Sequence, residues 1–481
     1  MNLFIKKPIN QLIDSADSGE YKLKRSLGAL NLISLGIGAI IGAGIFTLTG
    51  IAAAHNAGPA VVLSFVVAAI GCAFAGMCYS ELASMIPVAG SAYTYAYATM
   101  GEFIAWIIGW DLVLEYAVAS AVVAQGWSGY TVSFLNSIGI NIPAQLTRCP
   151  FDVVTLSNGA QVQGLVNIPA IAIIVIISLL LMLGIKESAV VNDVIVVVKL
   201  IVVFAFIAVG VHYIKPSNYV PFIPPNTGTF GEFGISGIMR AAGIIFFAYI
   251  GFDTVSTAAQ EAHHPQRDIP RGIIGSLFIC TIIFILFSAV LTGMLNYKAM
   301  SGDPAPVATA INMTPYPWLK VMVKLGIIAG LTSVILVMLL GQSRIFYAMS
   351  RDGLLPKLFS DIHPTWRTPW RSNLLFMVFT GFFAGFFPIS QLGNMTSIGT
   401  LLAFIIVCIG VMILRQTNPD TPRAYRCPCF PQFPILGILV CLAMMTSLDA
   451  ETWWRLLIWL AIGLIIYFTY SRFNSKLNKT V

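Results

Sequence analysis

Long apolar runs, without the alternation of a half-buried strand, begin near residues 30, 60, 96, 166, 189, 234, 272, 320, 372, 394, 433 and 452. A helix needs about 20 residues to cross the ~30 Å of bilayer hydrocarbon, and these runs match that length. Unpaired backbone groups are too costly in lipid for open sheet, so the runs predict helices. The pattern therefore predicts an all-α integral membrane protein with twelve transmembrane helices. Positive residues set its direction. With the N-terminus inside, the inner loops carry Lys186, Arg267, Arg271, Arg351, Lys357, Arg367, Arg371, Arg415, Arg423 and Arg426. The outer loops carry only Arg148, Lys215, Lys298 and Arg455, which places both termini in the cytoplasm.

Composition agrees. Of 481 residues, 57% are hydrophobic and 10% charged, where a soluble domain carries about 25% charged residues. Mean hydropathy is +0.85. These values exclude a disordered chain, a nucleic-acid binder and an ordinary cytosolic enzyme. The net charge of +7 follows from the basic inner loops and needs no anionic partner. Cys72, Cys78, Cys280, Cys408 and Cys441 lie in apolar runs, and Cys149 has no evident mate, so no disulfide framework is expected. Cys427-Pro-Cys429 lacks the second ligand pair of a metal site. Lys6, Lys7, Lys22, Lys24 and Arg25 belong to a polar arm with no visible cleavable signal.

Two runs look interrupted at mid-membrane depth. The first contains Gly36, Gly38, Gly42 and Gly44 within nine residues, and the sixth places Gly251 beside Asp253. Glycine costs about 1 kcal/mol in a helix interior and frees the chain to leave helical geometry; close helix packing is the plainer use of such residues. Glycine-broken segments in corresponding places of two halves point to a transporter site. Spans one and six correspond if spans 1–5 and 6–10 are repeats, and an odd number of spans per repeat forces them to be inverted. The expected organisation is a cytoplasmic arm over 1–29, five-helix repeats over 30–213 and 234–414, helices 11 and 12 over 433–471, and a cytoplasmic tail over 472–481.

Gly38-Ala-Ile-Ile-Gly42-Ala-Gly44-Ile-Phe46, Phe247-Ala-Tyr-Ile-Gly251-Phe-Asp253 and Tyr347-Ala-Met-Ser-Arg351-Asp-Gly353-Leu-Leu-Pro356 together resemble the amino acid–polyamine–organocation superfamily. Within it, the chain is most similar to the bacterial branch of the cationic amino acid transporter family, from about residue 20 to 470. The resemblance implies a LeuT-like five-plus-five inverted repeat with helices one and six broken. It implies that backbone N–H groups of Ala43 and Gly44 bind a substrate carboxylate. Carbonyls of Ile40, Phe247, Ala248 and Ile250 would receive its ammonium. The physics suits a zwitterion, since broken helix N-termini attract anions and C-terminal carbonyls attract cations.

Ionisable residues inside spans are functional candidates by default. Lys199 lies about ten residues into span five, roughly 15 Å deep at ~1.5 Å per residue, too far for its ammonium to snorkel out. In proton-linked bacterial relatives a lysine here fills the place of a sodium ion between spans one, five and eight. The resemblance thus implies proton coupling through Lys199, with the carbonyl near Gly38 and the hydroxyls of Thr332 or Ser333 as partners. Asp111 and Glu115, four apart, are expected on one helical face with one of them protonated or paired; the family carries a glutamate in this span. No nucleophile or metal ligand accompanies them, which rejects a hydrolase. Asp253 is expected to cap or brace span six, and Arg240 to serve at the interface rather than close the outer vestibule. Adjacent His263 and His264, in the loop from Glu261 to Arg271, fit a hinge better than a metal site. Met338 aligns with a family position that sizes the substrate, where its flexible apolar chain favours a small or medium neutral side chain.

The expected function is secondary active transport of L-amino acids across the plasma membrane by alternating access, neutral ones first, with cationic ones left open through Glu115 or Asp253. No enzyme activity, metal or cofactor is expected beyond a proton as coupling ion. An exchanger on the same scaffold and a non-transporting amino acid sensor remain as alternatives. A homodimer or a small single-span subunit are the candidate protein partners.

Overall fold

A computed structural model describes residues 3–8, 27–86, 91–155, 161–184, 189–257 and 262–480. Lys22, Lys24, Arg25, Lys186 and Glu261 lie outside the described residues. The chain is mostly helical. Eight stretches among the described residues are long and apolar enough to cross a membrane, and Ala29–Ile40, Ile168–Met182 and Gln432–Ser447 are shorter apolar helices.

In chain order the helices are α1 (Ala29–Ile40), a distal stretch from Gly44 to Ala57, α2 (Val61–Met85), α3 (Ser91–Thr99), α4 (Glu102–Val113) and α5 (Ala119–Ser137). Strands β1 (Val153–Thr155) and β2 (Gln161–Gln163) form an antiparallel hairpin with Val154 opposite Val162. Then follow α6 (Ile168–Met182), α7 (Ala189–Gly210), α8 (Gly234–Ile245), α9 (Thr254–Thr257), α10 (Pro265–Met294), α11 (Pro306–Asn312), α12 (Pro317–Arg351), α13 (Trp370–Phe386), α14 (Ile389–Thr417), α15 (Gln432–Ser447) and α16 (Ala450–Ile466).

These helices sort into two packed groups. In one, α10 packs along α2 and α1; in the other, α12 lies along α5 and α13 along α6. Small residues allow the close approaches. A Cβ on Gly36 would fall 2.5 Å from Ser276 Oγ, and one on Gly76 would fall 2.7 Å from Leu277 Cδ1. Lipid offers no hydrophobic drive between helices, so such contacts do the packing. Helix α16 is held to α4 by stacked indoles: Trp459 lies 4.6 Å from Trp110, and Trp110 lies 6.1 Å from Trp106.

The sequence places the start of the third span near 96, and the structure moves it. Gly101, at φ +98°, separates buried α3 from α4. The apolar and aromatic residues of both segments read as one run, which hides the corner. Residues 3–7 and 475–478 gather at this corner. Glu102 N donates to Ile5 O at 3.0 Å, and Lys7 Nζ pairs with Asp352 at 2.8 Å. Buried Glu102 accepts from Tyr97, Tyr467, Ser475 and Asn478, and Lys476 N donates to Asp352 O at 3.1 Å.

Candidate functional site

The first run breaks after Ile40. Ile41 is extended at φ −73°, ψ 99°, and the chain becomes helical again at Gly44. A helix start leaves its first N–H groups without intrahelical partners, and a helix end leaves its last carbonyls so. The break therefore offers N–H groups of Ala43 and Gly44 facing one way and carbonyls of α1 facing the other. Two hydroxyls hold the distal stretch. Tyr130 donates to Phe46 O at 2.5 Å and Thr49 to Gly44 O at 3.0 Å.

The second break follows α8. A single 3-10 turn over Phe246–Tyr249 leads to extended Ile250, and Gly251 turns the chain at φ +116°. That φ lies in the region open to glycine and strained for other residues. The two breaks interlock. A Cβ on Gly44 would stand 2.3 Å from Ala248 Cα, and one on Gly251 would stand 2.9 Å from Ala39 O. The structure thus brings together Ile40, Ala43, Gly44, Phe247, Ala248 and Ile250, all buried. Phe247 O already accepts from Ile250 N at 3.2 Å, which leaves it one lone pair for another donor.

Lys199 is 1% exposed, and its Nζ donates to Gly38 O at 2.6 Å. Its alkyl chain runs over Gly330 of α12, where a Cβ would fall 2.9 Å from both Cγ and Cε of the lysine. Ser333 Oγ donates to Gly330 O and Thr332 Oγ1 to Ile328 O, while Thr332 also accepts from Trp127 Nε1. Both hydroxyls therefore retain acceptor capacity. Met338 is buried on the same helix, and Val334 one turn earlier lies 3.5 Å from where a Gly42 Cβ would be.

A widened π-helical turn over Leu114–Val118 carries Glu115. Asp111 Oδ1 faces Gly399 of α14, 3.0 Å from a Cβ built there, whereas Glu115 lies beside Asp253. Such turns interrupt helices often at functional sites. Neither carboxyl has a basic partner among the described residues. Asp253 accepts from Ser91 at 2.9 Å and from Tyr116 at 2.7 Å, so it ties the second break to α3 and to the π-helical turn. Arg240, expected at an interface, pairs with Asp449 at 3.0 Å and donates to Ser447 O. His264 opens α10, where its N–H donates to Asp268.

Residues 27–470 match the family model described as amino acid permease. The chain belongs to this amino acid permease family. It is an integral, multi-pass membrane protein of the amino acid–polyamine–organocation superfamily, and its relatives are transporters rather than enzymes. It is 47% identical to the branched-chain amino acid permease BcaP of Bacillus subtilis (strain 168), over 99% of both chains. It is 43% identical to the methylthioribose transporter of the same organism, over 99% of this chain and 100% of that one. The cationic amino acid transporter 4, vacuolar, of Arabidopsis thaliana is more distant, at 37% over 87% of this chain and 68% of that one.

Sequence reasoning missed several parts of this permease site. The hydroxyl of Tyr130 on Phe46 O and the π-helical turn at Glu115 have no sequence signature.

Proposed function

We propose that this permease is a secondary active transporter of L-amino acids, working by alternating access in the plasma membrane with both termini cytoplasmic. Twelve spans form it, ten of them in two inverted repeats of five. The pairings of α2 with α10, α5 with α12 and α6 with α13 support that symmetry, because each joins corresponding members of the two halves.

The observation that carries the reading is the interlock of the breaks, Gly44 on Ala248 and Gly251 on Ala39. It sets helix N–H groups opposite helix carbonyls, a complement to the two charges on an α-amino acid. Ala43 and Gly44 take the carboxylate; Ile40, Phe247, Ala248 and Ile250 supply carbonyls for the ammonium. Met338 limits the side-chain volume and favours neutral substrates of small or medium size, in keeping with the branched-chain substrates named for the Bacillus subtilis relative. Transport couples to protons through Lys199, whose ammonium fixes the end of α1 through Gly38.

The test is labelled uptake into proteoliposomes from a panel of amino acids and methylthioribose, with and without an inward proton gradient. Uptake of neutral amino acids into empty vesicles, raised by the gradient, is the expected result. Uptake confined to preloaded vesicles would make the protein an exchanger, and binding without uptake would make it a sensor.

A further inference from the structure

Arg267 and Arg271 stand four apart at the start of α10, exposed and on one helix face. Among the described residues neither guanidinium has an ion pair. Other arginines of the basic loops do: Arg371 pairs with Asp361 at 2.6 Å, and Arg415 and Arg423 share Glu81. The two unpaired cations line a cavity of about 700 Å³ between α10 and the connection from α14 to α15. None of the described residues that line it is acidic. Tyr425 lines it from that connection, and burial pushes its hydroxyl up to about 12, so it remains a donor at neutral pH.

The cavity lies where α10 enters the hydrocarbon. The apolar run of this helix begins just past Arg271, and Ile274 and Gly275 also line the cavity. Continuing from Arg271 by threes and fours, Ile274, Phe278 and Ile282 form one stripe, 38%, 67% and 46% exposed. A Cβ on Gly275 would fall 3.0 Å from Ile33 Cδ1, so α1 backs this part of the groove. The cation pair thus opens directly onto an exposed apolar stripe.

Two features choose the occupant. An arginine fork matches two oxygens of a phosphate, and two forks without a carboxylate beside them call for negative charge. The stripe calls for hydrocarbon next to that charge. A free phosphate supplies only the first, and a neutral lipid only the second. We propose that the cavity holds the phosphodiester headgroup of an anionic glycerophospholipid. Arg267 and Arg271 bind its phosphate oxygens, and an acyl chain runs along Ile274, Phe278 and Ile282. Basic pockets at the ends of membrane helices are suited to such headgroups. The lipid sits on α10 where it backs onto α1, the helix that leads into the first break.

The experiment titrates the full-length protein in a neutral detergent with phosphatidylglycerol or with phosphatidylcholine of the same acyl chains. Native mass spectrometry counts the lipids retained. Wild type should hold one phosphatidylglycerol about thirtyfold more tightly than phosphatidylcholine, because each basic residue near the lipid surface contributes about fivefold. The double variant Arg267→Gln/Arg271→Gln should lose that excess, while Arg371→Gln, whose guanidinium is already paired, should keep it. Arg267→Lys/Arg271→Lys should keep part of it, which separates lost charge from lost folding. Equal retention of the two lipids by wild type, or an excess unchanged in the glutamine variant, would overturn the site. Displacement of phosphatidylglycerol by millimolar inorganic phosphate would overturn it as well, because the apolar stripe would then add nothing.

Discussion

Gly44→Ala should disable the permease while Gly42→Ala leaves it working, although both substitutions add one methyl to the same break. The added Cβ at 44 would stand 2.3 Å from Ala248 Cα, 2.5 Å from its Cβ and 2.7 Å from its N. Those atoms belong to backbone or to a side chain with no freedom to turn away. Carbon atoms rest at ~3.5 Å or more, so the two breaks must part by roughly 1 Å. At position 42 the same methyl meets Val334 Cγ2 at 3.5 Å, an ordinary contact.

The separation acts on the substrate through the N–H groups of Ala43 and Gly44 on one side and the carbonyls of 247–250 on the other. Losing one hydrogen bond to a charged group costs about 1.5–3 kcal/mol, which is roughly 10–150-fold in affinity. Overpacking adds about 1–3 kcal/mol of destabilisation. Uptake into proteoliposomes should therefore show at least a tenfold rise in KM for Gly44→Ala, together with a lower melting temperature in detergent. Gly42→Ala should stay within about twofold of wild type, since a methyl in ordinary contact removes no hydrogen bond. Wild-type KM in Gly44→Ala, or equal losses in both variants, would refute the interlock as the origin of the site.

Lys199→Ala removes the ammonium from Gly38 O, and uptake should lose its dependence on external pH; a variant that keeps the wild-type pH response would remove Lys199 from the coupling. Met338→Ser opens the pocket, and competition assays should then show longer or cationic side chains entering; an unaltered substrate profile would count against this wall of the site. The exposed thiol of Cys429 should react with a membrane-impermeant maleimide in inside-out vesicles and stay silent in right-side-out ones, the reverse pattern being incompatible with cytoplasmic termini. Cys149 stays unlabelled in both, because burial pushes its thiol up to about 11 and leaves about one molecule in ten thousand as thiolate at neutral pH.

What could be read from the sequence was set by how strongly the bilayer constrains each feature. Long apolar runs have one low-cost conformation in lipid, so α2, α10, α12 and α14 appear where their hydropathy places them. Gly44 and Gly251 stood out because glycine is costly in a helix unless it is used, and Gly44 is used in a close approach and Gly251 in a left-handed turn. The π-helical turn at Leu114–Val118 could not be read, because one extra residue per turn leaves no mark on an apolar pattern. Four-residue spacing put Asp111 and Glu115 on one face, and Asp111 is among the groups that act electrostatically on Glu115, but the spacing could not show that Asp253 lies beside it. The corner at Gly101 escaped notice because the segments on either side are both apolar and aromatic.

The end of α1 is where these features meet, and this limits how coupling can work. A helix end leaves four carbonyls without intrahelical donors. Ile41 N claims Ile37 O, Lys199 claims Gly38 O, and the Gly251 turn presses on Ala39 O, so Ile40 O is the carbonyl of this group left for the proposed site to offer an ammonium. A proton leaving Lys199 weakens a charge-assisted bond, and a variant lacking the side chain leaves Gly38 O buried and unpaired, a cost of about 1–3 kcal/mol. That energy acts one residue from the contact with the second break and two from the carbonyl offered to the ammonium. It need only differ between two arrangements of α1 to shift their populations. Coupling on this pattern requires no charge in the substrate side chain, so a permease built this way can move neutral amino acids with protons.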